Sequence, residues 1–236
     1  MPIWQRVDVL RIIINRLPSW VMAVVYVLSP EDPQFDEILS VIKDSRTPYT
    51  IALHINNPLG AKINYGVQTA LKKYRFNYLM NIGSDDIVHE DLLKAYRDKL
   101  TALKLTDWPV NCMIGFDSGD WYQPSTGMAY RIRYWDVPIL IGAGRWTSRD
   151  LAKACRGEMN DPRRKKSMDT DSQFRLQAAF SATSYKFALS GYVVDIKTEV
   201  NLNSFGLLEI ADIEKWELNE DEVKRRYGLG DCTLQC

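Results

Sequence analysis

Charged and amide side chains stand at four places where the sequence pattern predicts that a strand ends or a helix begins. They are Glu31-Asp32, Lys62 with Asn64, Asp85-Asp86, and Asp169. The adjacent carboxylates of Asp85 and Asp86 repel each other unless water, a cation or hydrogen-bond donors offset their charge. Carboxylate oxygens suit Mg²⁺ or Mn²⁺, which proteins commonly hold with one or two acids plus substrate phosphates. The pair therefore predicts a divalent-metal site that binds a diphosphate.

Helix capping is the competing interpretation of the acidic pair. Ser84 or Asp85 is a suitable N-cap for a helix that begins near His89. Asp86 and Glu90 would then lie near the positive end of that helix. The acidic pair alone does not decide between the two interpretations.

The other three places fit ligand binding and ordinary structure alike. Glu31-Asp32 follows the apolar run Val21–Leu28, and an acid at the end of such a strand can accept hydrogen bonds from a nucleoside. Acids in a proline-containing turn are also common. Lys62 and Asn64 follow a predicted helix start and suit a phosphate or a base carbonyl, but a solvated lysine in a loop has the same pattern. Asp169 is either a general base for a hydroxyl or an N-cap.

Strands and helices alternate at short spacing through the first half, which predicts the α/β fold class. We expect one Rossmann-like domain over residues 1–197, with a mostly parallel central sheet flanked by helices, and a C-terminal extension over 198–236. The run Val21–Leu28 is almost wholly apolar, which is typical of a parallel strand buried on both faces. The second half is less regular, and Asp117–Gly127 has the composition of a loop.

Composition excludes several classes of protein. The 236 residues include 30 Lys+Arg and 30 Asp+Glu, so the formal net charge is zero, which argues against a dedicated nucleic-acid binder. No apolar run approaches the roughly 20 residues that a membrane span requires, and the first residues lack a signal-peptide pattern. The four cysteines are scattered, so we expect free thiols and a cytoplasmic location.

The order of these motifs resembles the GT-A fold glycosyltransferases that use nucleotide sugars, especially the inverting family-2 type. Five segments carry the resemblance: Met1–Arg6, Ser29–Asp32, Gly60 with Asn64-Tyr65-Gly66, Tyr78–Leu93, and Met168–Leu176. The resemblance covers residues 1–197. It implies a nucleotide-binding half over 1–105 and an acceptor half over 106–197.

The resemblance implies a role for each candidate residue. Glu31 or Asp32 would contact the nucleoside of the donor, and Lys62 and Asn64 would lie near its base or phosphate. Asp86, with Asp85 beside it, would bind the Mn²⁺ or Mg²⁺ that bridges the diphosphate of a nucleotide-diphosphate sugar. Asp169 would deprotonate the acceptor hydroxyl, so that the sugar is transferred by direct displacement with inversion.

The segment Gly142–Arg149 resembles the acceptor side of these enzymes. Arg145 and Trp146, together with Trp121, are the candidate acceptor residues, although each aromatic ring could equally belong to the core. The acceptor itself is left open as a glycan, a small molecule or a modified nucleic acid. A hydroxylated base in DNA is the variant in which Arg163–Lys166 would hold phosphates.

Four departures from the family pattern keep a non-catalytic binding module as an alternative. The resemblance begins several residues into the family's first strand. Ser84 and Met168 replace acids of the two acidic motifs. His54 and His89 are the two histidines of the chain, so no late histidine is present as a metal ligand.

Overall fold

The computed structural model describes residues 1–105, 109–133, 139–165, 168–197 and 214–230, without the side chains of Met168 and Asp169. The helices are α1 Val7–Asn15, α2 Phe35–Lys43, α3 Leu59–Lys73, α4 Leu92–Ala102, α5 Arg149–Ala154, α6 Met168–Phe180 and α7 Glu220–Tyr227. The strands are β1 Val24–Leu28, β2 Tyr49–Leu53, β3 Tyr78–Met80, β4 Asp86–Val88, β5 Cys112–Phe116, β6 Ser118–Gln123, β7 Met128–Arg133, β8 Trp146–Ser148, β9 Thr183–Phe187, β10 Val193–Ile196 and β11 Glu214–Glu217. Among these helices, none is long and apolar enough to cross a bilayer.

The strands form three sheets flanked by helices, and the predicted α/β class is confirmed. The strand orders are β1-β2, β3-β8-β5-β9 and β11-β7-β6-β10-β4. The pairing is mixed rather than mostly parallel. Of the eight pairings among the described strands, β1–β2, β10–β6 and β5–β9 are parallel and the other five are antiparallel. Two antiparallel pairings arise because a hairpin joins β6 to β7 and because the three-residue β4 runs opposite to β10.

The prediction of a loop over Asp117–Gly127 is wrong for most of its length, because residues 118–123 form β6. The strand is polar in sequence, yet it is buried. Burial of Asp120 in this strand, and of Asp117 just before it, is tolerated because β7 supplies a cation to each acid. Arg131 Nε donates to Asp120 Oδ1 at 2.8 Å, and Arg133 Nε donates to Asp117 Oδ2 at 3.1 Å. A hydrophobicity pattern cannot reveal a buried strand whose acids are paired across the sheet.

The described part of the C-terminal extension packs against the five-stranded sheet. Strand β11 extends this sheet beside β7, and Asn219 caps α7 by accepting from the Glu222 N–H. The Tyr227 hydroxyl lies 2.8 Å from Asp120 Oδ2 and 3.1 Å from the carbonyl oxygen of Val193. Helix α7 is therefore anchored to both β6 and β10.

A buried lysine joins α3 to the first residues of the chain. The Lys62 ammonium donates to the Ile3 carbonyl, to Ser29 Oγ and to Asn56 Oδ1. Burial lowers the pKa of Lys62 from 10.5 to about 8, although Asp32 and Glu31 oppose this shift. Lys62 is thus a structural cation inside the fold.

The free energy of unfolding should depend on pH through Lys62. Between pH 8 and 10.5 the unfolded chain holds the proton that the folded chain has lost, so stability should rise with pH in that window. The contribution is up to about 3 kcal/mol. We expect Lys62→Met to remove this rise, measured by urea unfolding at pH 8 and 10, whereas Lys72→Met on the exposed face of the same helix should keep it. An identical pH dependence in both variants would contradict the prediction.

Gly60 provides a close backbone contact between α3 and the loop before α6. Its N–H donates to the Arg164 carbonyl at 3.0 Å. A Cβ at this position would lie 2.2 Å from the Asp161 carbonyl oxygen. The backbone approach therefore leaves no room for a side chain at Gly60.

We expect Gly60→Ala to lower the free energy of unfolding by roughly 1–3 kcal/mol, because the loop must move away from the helix. Gly119→Ala is the matched control, since its added Cβ would meet Ile141 at an ordinary 3.4 Å. Thermal unfolding of the two variants checks the expectation. Equal melting temperatures would contradict the expectation, because they would show that the loop can move without any loss of stability.

Candidate active site

Three carboxylates meet at one end of the five-stranded sheet. Oxygen atoms of Asp85, Asp86 and Asp195 all lie within 4.8 Å of one another. The backbone enforces this proximity, because Asp86 of β4 is paired directly with Asp195 of β10. The carbonyl of Asp85 also accepts from the Ile196 N–H at 2.7 Å. The cluster is therefore fixed by main-chain pairing.

Strand β10 is held on both sides, which fixes Asp195. Its other neighbour is β6, where Asp195 lies opposite Trp121. The Lys197 N–H donates to the Tyr122 carbonyl at 2.7 Å, so the pairing continues past the end of β10. The contact of Tyr227 with Val193 adds a third support from α7.

The cluster carries more negative charge than its surroundings offset. Burial is the main cause that raises the pKa of Asp86 well above its ordinary value, and Asp85 and Asp195 add to the shift. The Gly83 N–H opposes it by donating to Asp86 Oδ2 at 2.7 Å. Burial and then Asp85 raise the pKa of Asp195 to about 6. Both shifts mean that burial, reinforced by the neighbouring acids, disfavours the ionised form of these carboxyls.

Two cations lie beside the three acids. Arg6 donates from one terminal nitrogen to Asp85 Oδ2 at 2.7 Å and from the other to Ser84 Oγ at 3.3 Å. Lys197 forms an ion pair with Asp195, and its ammonium lies 3.9 Å from the ring centroid of Trp121. When all these groups are ionised, three carboxylates and two cations leave one negative charge.

The cluster fits a hard divalent cation. Its possible ligands are all carboxylate oxygens, which Mg²⁺ and Mn²⁺ favour. Asp195 Oδ1 is buried and, within the described residues, has no hydrogen-bond partner. A bound cation would satisfy this oxygen and also supply the missing charge.

The structure separates the two interpretations of the acidic pair. Strand β4 begins at Asp86, and α4 begins only at Leu92 after Asp91, so neither Ser84 nor Asp85 caps that helix. Asp195 is the acid that sequence reasoning missed. From the sequence we noted only that no late histidine is present as a metal ligand, and we did not consider Asp195. The sequence feature that could have identified Asp195 is the presence of an acid inside the otherwise apolar run Val193–Ile196.

The structure places Glu31 and Asp32 in the turn after β1. Glu31 Oε1 accepts from the Asn56 N–H at 2.7 Å, and this bond lowers the pKa of Glu31. Asp32 Oδ2 accepts from the Gln5 N–H at 2.7 Å. Asp32 therefore supports the turn that carries Arg6. Its contact with a nucleoside remains a prediction.

The other two predicted donor contacts are engaged within the protein. The three acceptors of Lys62 are described above. The Asn64 side chain donates to the Asn160 carbonyl at 2.8 Å and accepts from the Asn160 N–H at 3.0 Å. This reciprocal pair fastens α3 to the loop before α6. Neither side chain belongs to the acid cluster.

Asp169 lies in the first turn of α6, but its side chain is outside the described part of the structure. Its role as a base therefore remains a prediction. Nearby, Asp171 Oδ2 accepts from the Asp161 N–H at 2.9 Å, so this second acid holds the preceding loop. Within the predicted basic loop, Arg163 pairs with Asp161 and Arg164 pairs with Asp171, whereas Lys166 is outside the described residues.

The candidate acceptor residues are buried. The Trp146 ring packs against Trp20, Tyr78 and Tyr96, with centroids 5.0 to 5.7 Å apart. Arg145 is buried and donates to Ser172 Oγ. Trp121 is buried beneath Lys197. Stacking of a sugar on either tryptophan would require these contacts to open.

No protein-family model matches the sequence, and no curated protein does. Solved structures match it in shape. The S. aureus TarS 1-349 structure with UDP-GlcNAc has a TM-score of 0.54 at 13% identity, over 85% of this chain and 58% of that chain. The corresponding structure with UDP has a TM-score of 0.53 at 12% identity, over 84% of this chain and 59% of that chain. This chain thus spans less than two thirds of the TarS chain. The likeness shows the fold alone, which is a GT-A-like α/β fold.

Proposed function

We propose that this protein transfers a sugar from a nucleotide-diphosphate sugar to an acceptor hydroxyl, with help from Mn²⁺ or Mg²⁺. The proposal rests mainly on the cluster of Asp85, Asp86 and Asp195. Three carboxylates so close together repel one another, and a bound cation would offset their charge. The order of sequence motifs supports a glycosyltransferase. The TarS structure, which shares the fold, was solved in complex with UDP-GlcNAc.

Asp86 and Asp195 are the proposed principal ligands of the cation, with Asp85 as the third. Asp86 is held by the Gly83 N–H and by its place in β4, so its carboxylate is oriented before the cation arrives. The bound cation would supply positive charge to the departing diphosphate. The protein's contribution is a set of oxygens that need little rearrangement to bind it.

The charge count predicts an order of binding. With the acids ionised, Arg6 and Lys197 leave the site with one negative charge, which repels a diphosphate. A divalent cation changes this to one positive charge and makes the site attractive to the diphosphate. We therefore propose that the nucleotide binds strongly only after the metal.

The remaining parts of the mechanism rest on the sequence pattern. Asp169, at the start of α6, is the proposed base that removes the proton of the acceptor hydroxyl, and direct displacement then inverts the anomeric carbon. Glu31 and Asp32 are the proposed contacts of the nucleoside. The acceptor class is left open, since the buried positions of Trp121, Arg145 and Trp146 do not identify it.

The binding order can be tested by titrating the protein with Mn²⁺ and UDP. Calorimetry measures the heat of binding, and thermal unfolding measures the melting temperature. We expect UDP to raise the melting temperature only when Mn²⁺ is present. Asp86→Asn and Asp195→Asn should each weaken Mn²⁺ binding by at least about tenfold, because each removes a charged oxygen ligand. Asp98→Asn, on the exposed face of α4, is the matched control.

The melting temperature of the metal-free Asp86→Asn variant separates loss of binding from unfolding. Asp86→Asn removes one charge from the crowded cluster without breaking the ion pair of Lys197 with Asp195, so this metal-free variant should melt at or above the temperature of the unaltered protein. UDP binding that is equally strong without metal would contradict the proposal. Donor binding and metal binding without sugar transfer or hydrolysis would favour the non-catalytic module.

A further inference from the structure

Arg6 stands in an unusual backbone position beside the acid cluster. Gln5 and Arg6 both adopt the left-handed conformation, with φ of 56° and 60°. Such conformations are unfavourable for residues with side chains and persist only where the surroundings enforce them. Here Asp32 holds the Gln5 N–H at 2.7 Å, and the Arg6 carbonyl accepts from Leu10 at 3.0 Å in the first turn of α1. The turn aims the Arg6 side chain at the cluster.

The contacts of Arg6 compete with those of a metal. Its guanidinium binds Asp85 Oδ2, which is one of the oxygens available to a cation. Its Nε is buried and, among the described residues, has no hydrogen-bond partner, so the group has unused donor capacity. A guanidinium is well suited to bind a phosphate group, because two of its N–H donors can contact two phosphate oxygens in a bidentate arrangement.

Lys197 cannot exchange partners in the same way. It is buried between Asp195 and the face of Trp121. The side chain of Arg6 is 16% exposed, against 4% for Lys197. Arg6 is therefore the cation that can leave its acid when another positive charge arrives.

We infer that Arg6 is an exchangeable counter-ion, and this inference rests on the proposed function. In the metal-free protein its guanidinium neutralises Asp85. Binding of the divalent cation takes over that carboxylate, and Arg6 then turns to the diphosphate of the nucleotide. No covalent bond changes in this exchange. Arg6 would thus weaken binding of the metal alone but strengthen binding of the nucleotide diphosphate.

The inference predicts effects of opposite sign in one variant. Arg6→Gln should bind Mn²⁺ alone about threefold to tenfold more tightly, because the Arg6 guanidinium no longer competes for Asp85. With saturating Mn²⁺, the same variant should bind UDP at least about tenfold more weakly than the unaltered protein, because a charged bidentate contact is lost. Isothermal titration calorimetry measures the affinities of both proteins for Mn²⁺ and for UDP. Arg11→Gln is the matched control, since Arg11 lies on α1 with a side chain 56% exposed and should change neither affinity.

Arg6→Lys separates charge from geometry. It keeps the positive charge beside Asp85, so affinity for Mn²⁺ alone should stay near that of the unaltered protein, while UDP binding should weaken because a lysine cannot form the bidentate contact. If Arg6→Gln weakened both affinities or changed neither, the exchange would be refuted even though the proposed function stood. If the unaltered protein bound no Mn²⁺, the proposed function and this inference would both fail.

Discussion

The pairing of β4 with β10 is the constraint on which the candidate site depends. It sets Asp86 directly opposite Asp195 and brings Asp85 beside them, although three acids in a small volume repel one another. A site assembled from flexible side chains would relax by moving the carboxylates apart. Main-chain hydrogen bonds prevent this, and burial together with the remaining repulsion raises the pKa values of Asp86 and Asp195.

The groups around the cluster offset the repulsion among its three acids only in part. Lys197 is locked against Asp195 by burial and by the ring of Trp121. The C-terminal helix contributes through Tyr227, which contacts the backbone of β10 two residues before Asp195. A remote segment therefore supports the geometry of the site without touching the cluster. Among the described residues, the ionised acids of the cluster exceed the neighbouring cations by one charge, which a bound divalent cation would offset.

The sequence predicted the first half of the fold well because apolar periodicity dominates it. The predicted alternation of strands and helices is present there, with helices at Val7–Asn15, Phe35–Lys43 and Leu59–Lys73, and β1 Val24–Leu28 lies within the apolar run Val21–Leu28. Strand β6 was missed because its burial depends on ion pairs with β7, and those partners are visible only in three dimensions. For the same reason the mixed pairing of the sheets could not be predicted, since local sequence does not specify the direction of a neighbour.

Within the site, the sequence identified Asp85 and Asp86 but not the residues that complete the cluster. Adjacent acids are a local signal. Asp195 is separated from them by more than a hundred residues and is recognised only through the register of β10. Arg6 was part of a motif that the resemblance used, but its direction follows from a left-handed backbone that no composition indicates.

Lys62 and Asp32 are predicted ligand contacts that also have a structural role. In the structure both hold the segment that precedes Arg6. Lys62 binds the Ile3 carbonyl, and Asp32 binds the Gln5 N–H. An unfavourable turn needs such anchors, because without them the chain would return to an ordinary conformation. Asp32 after β1 and Lys62 in α3 thus act on the candidate site through the backbone, because they fix the turn that directs the Arg6 guanidinium toward the acid cluster.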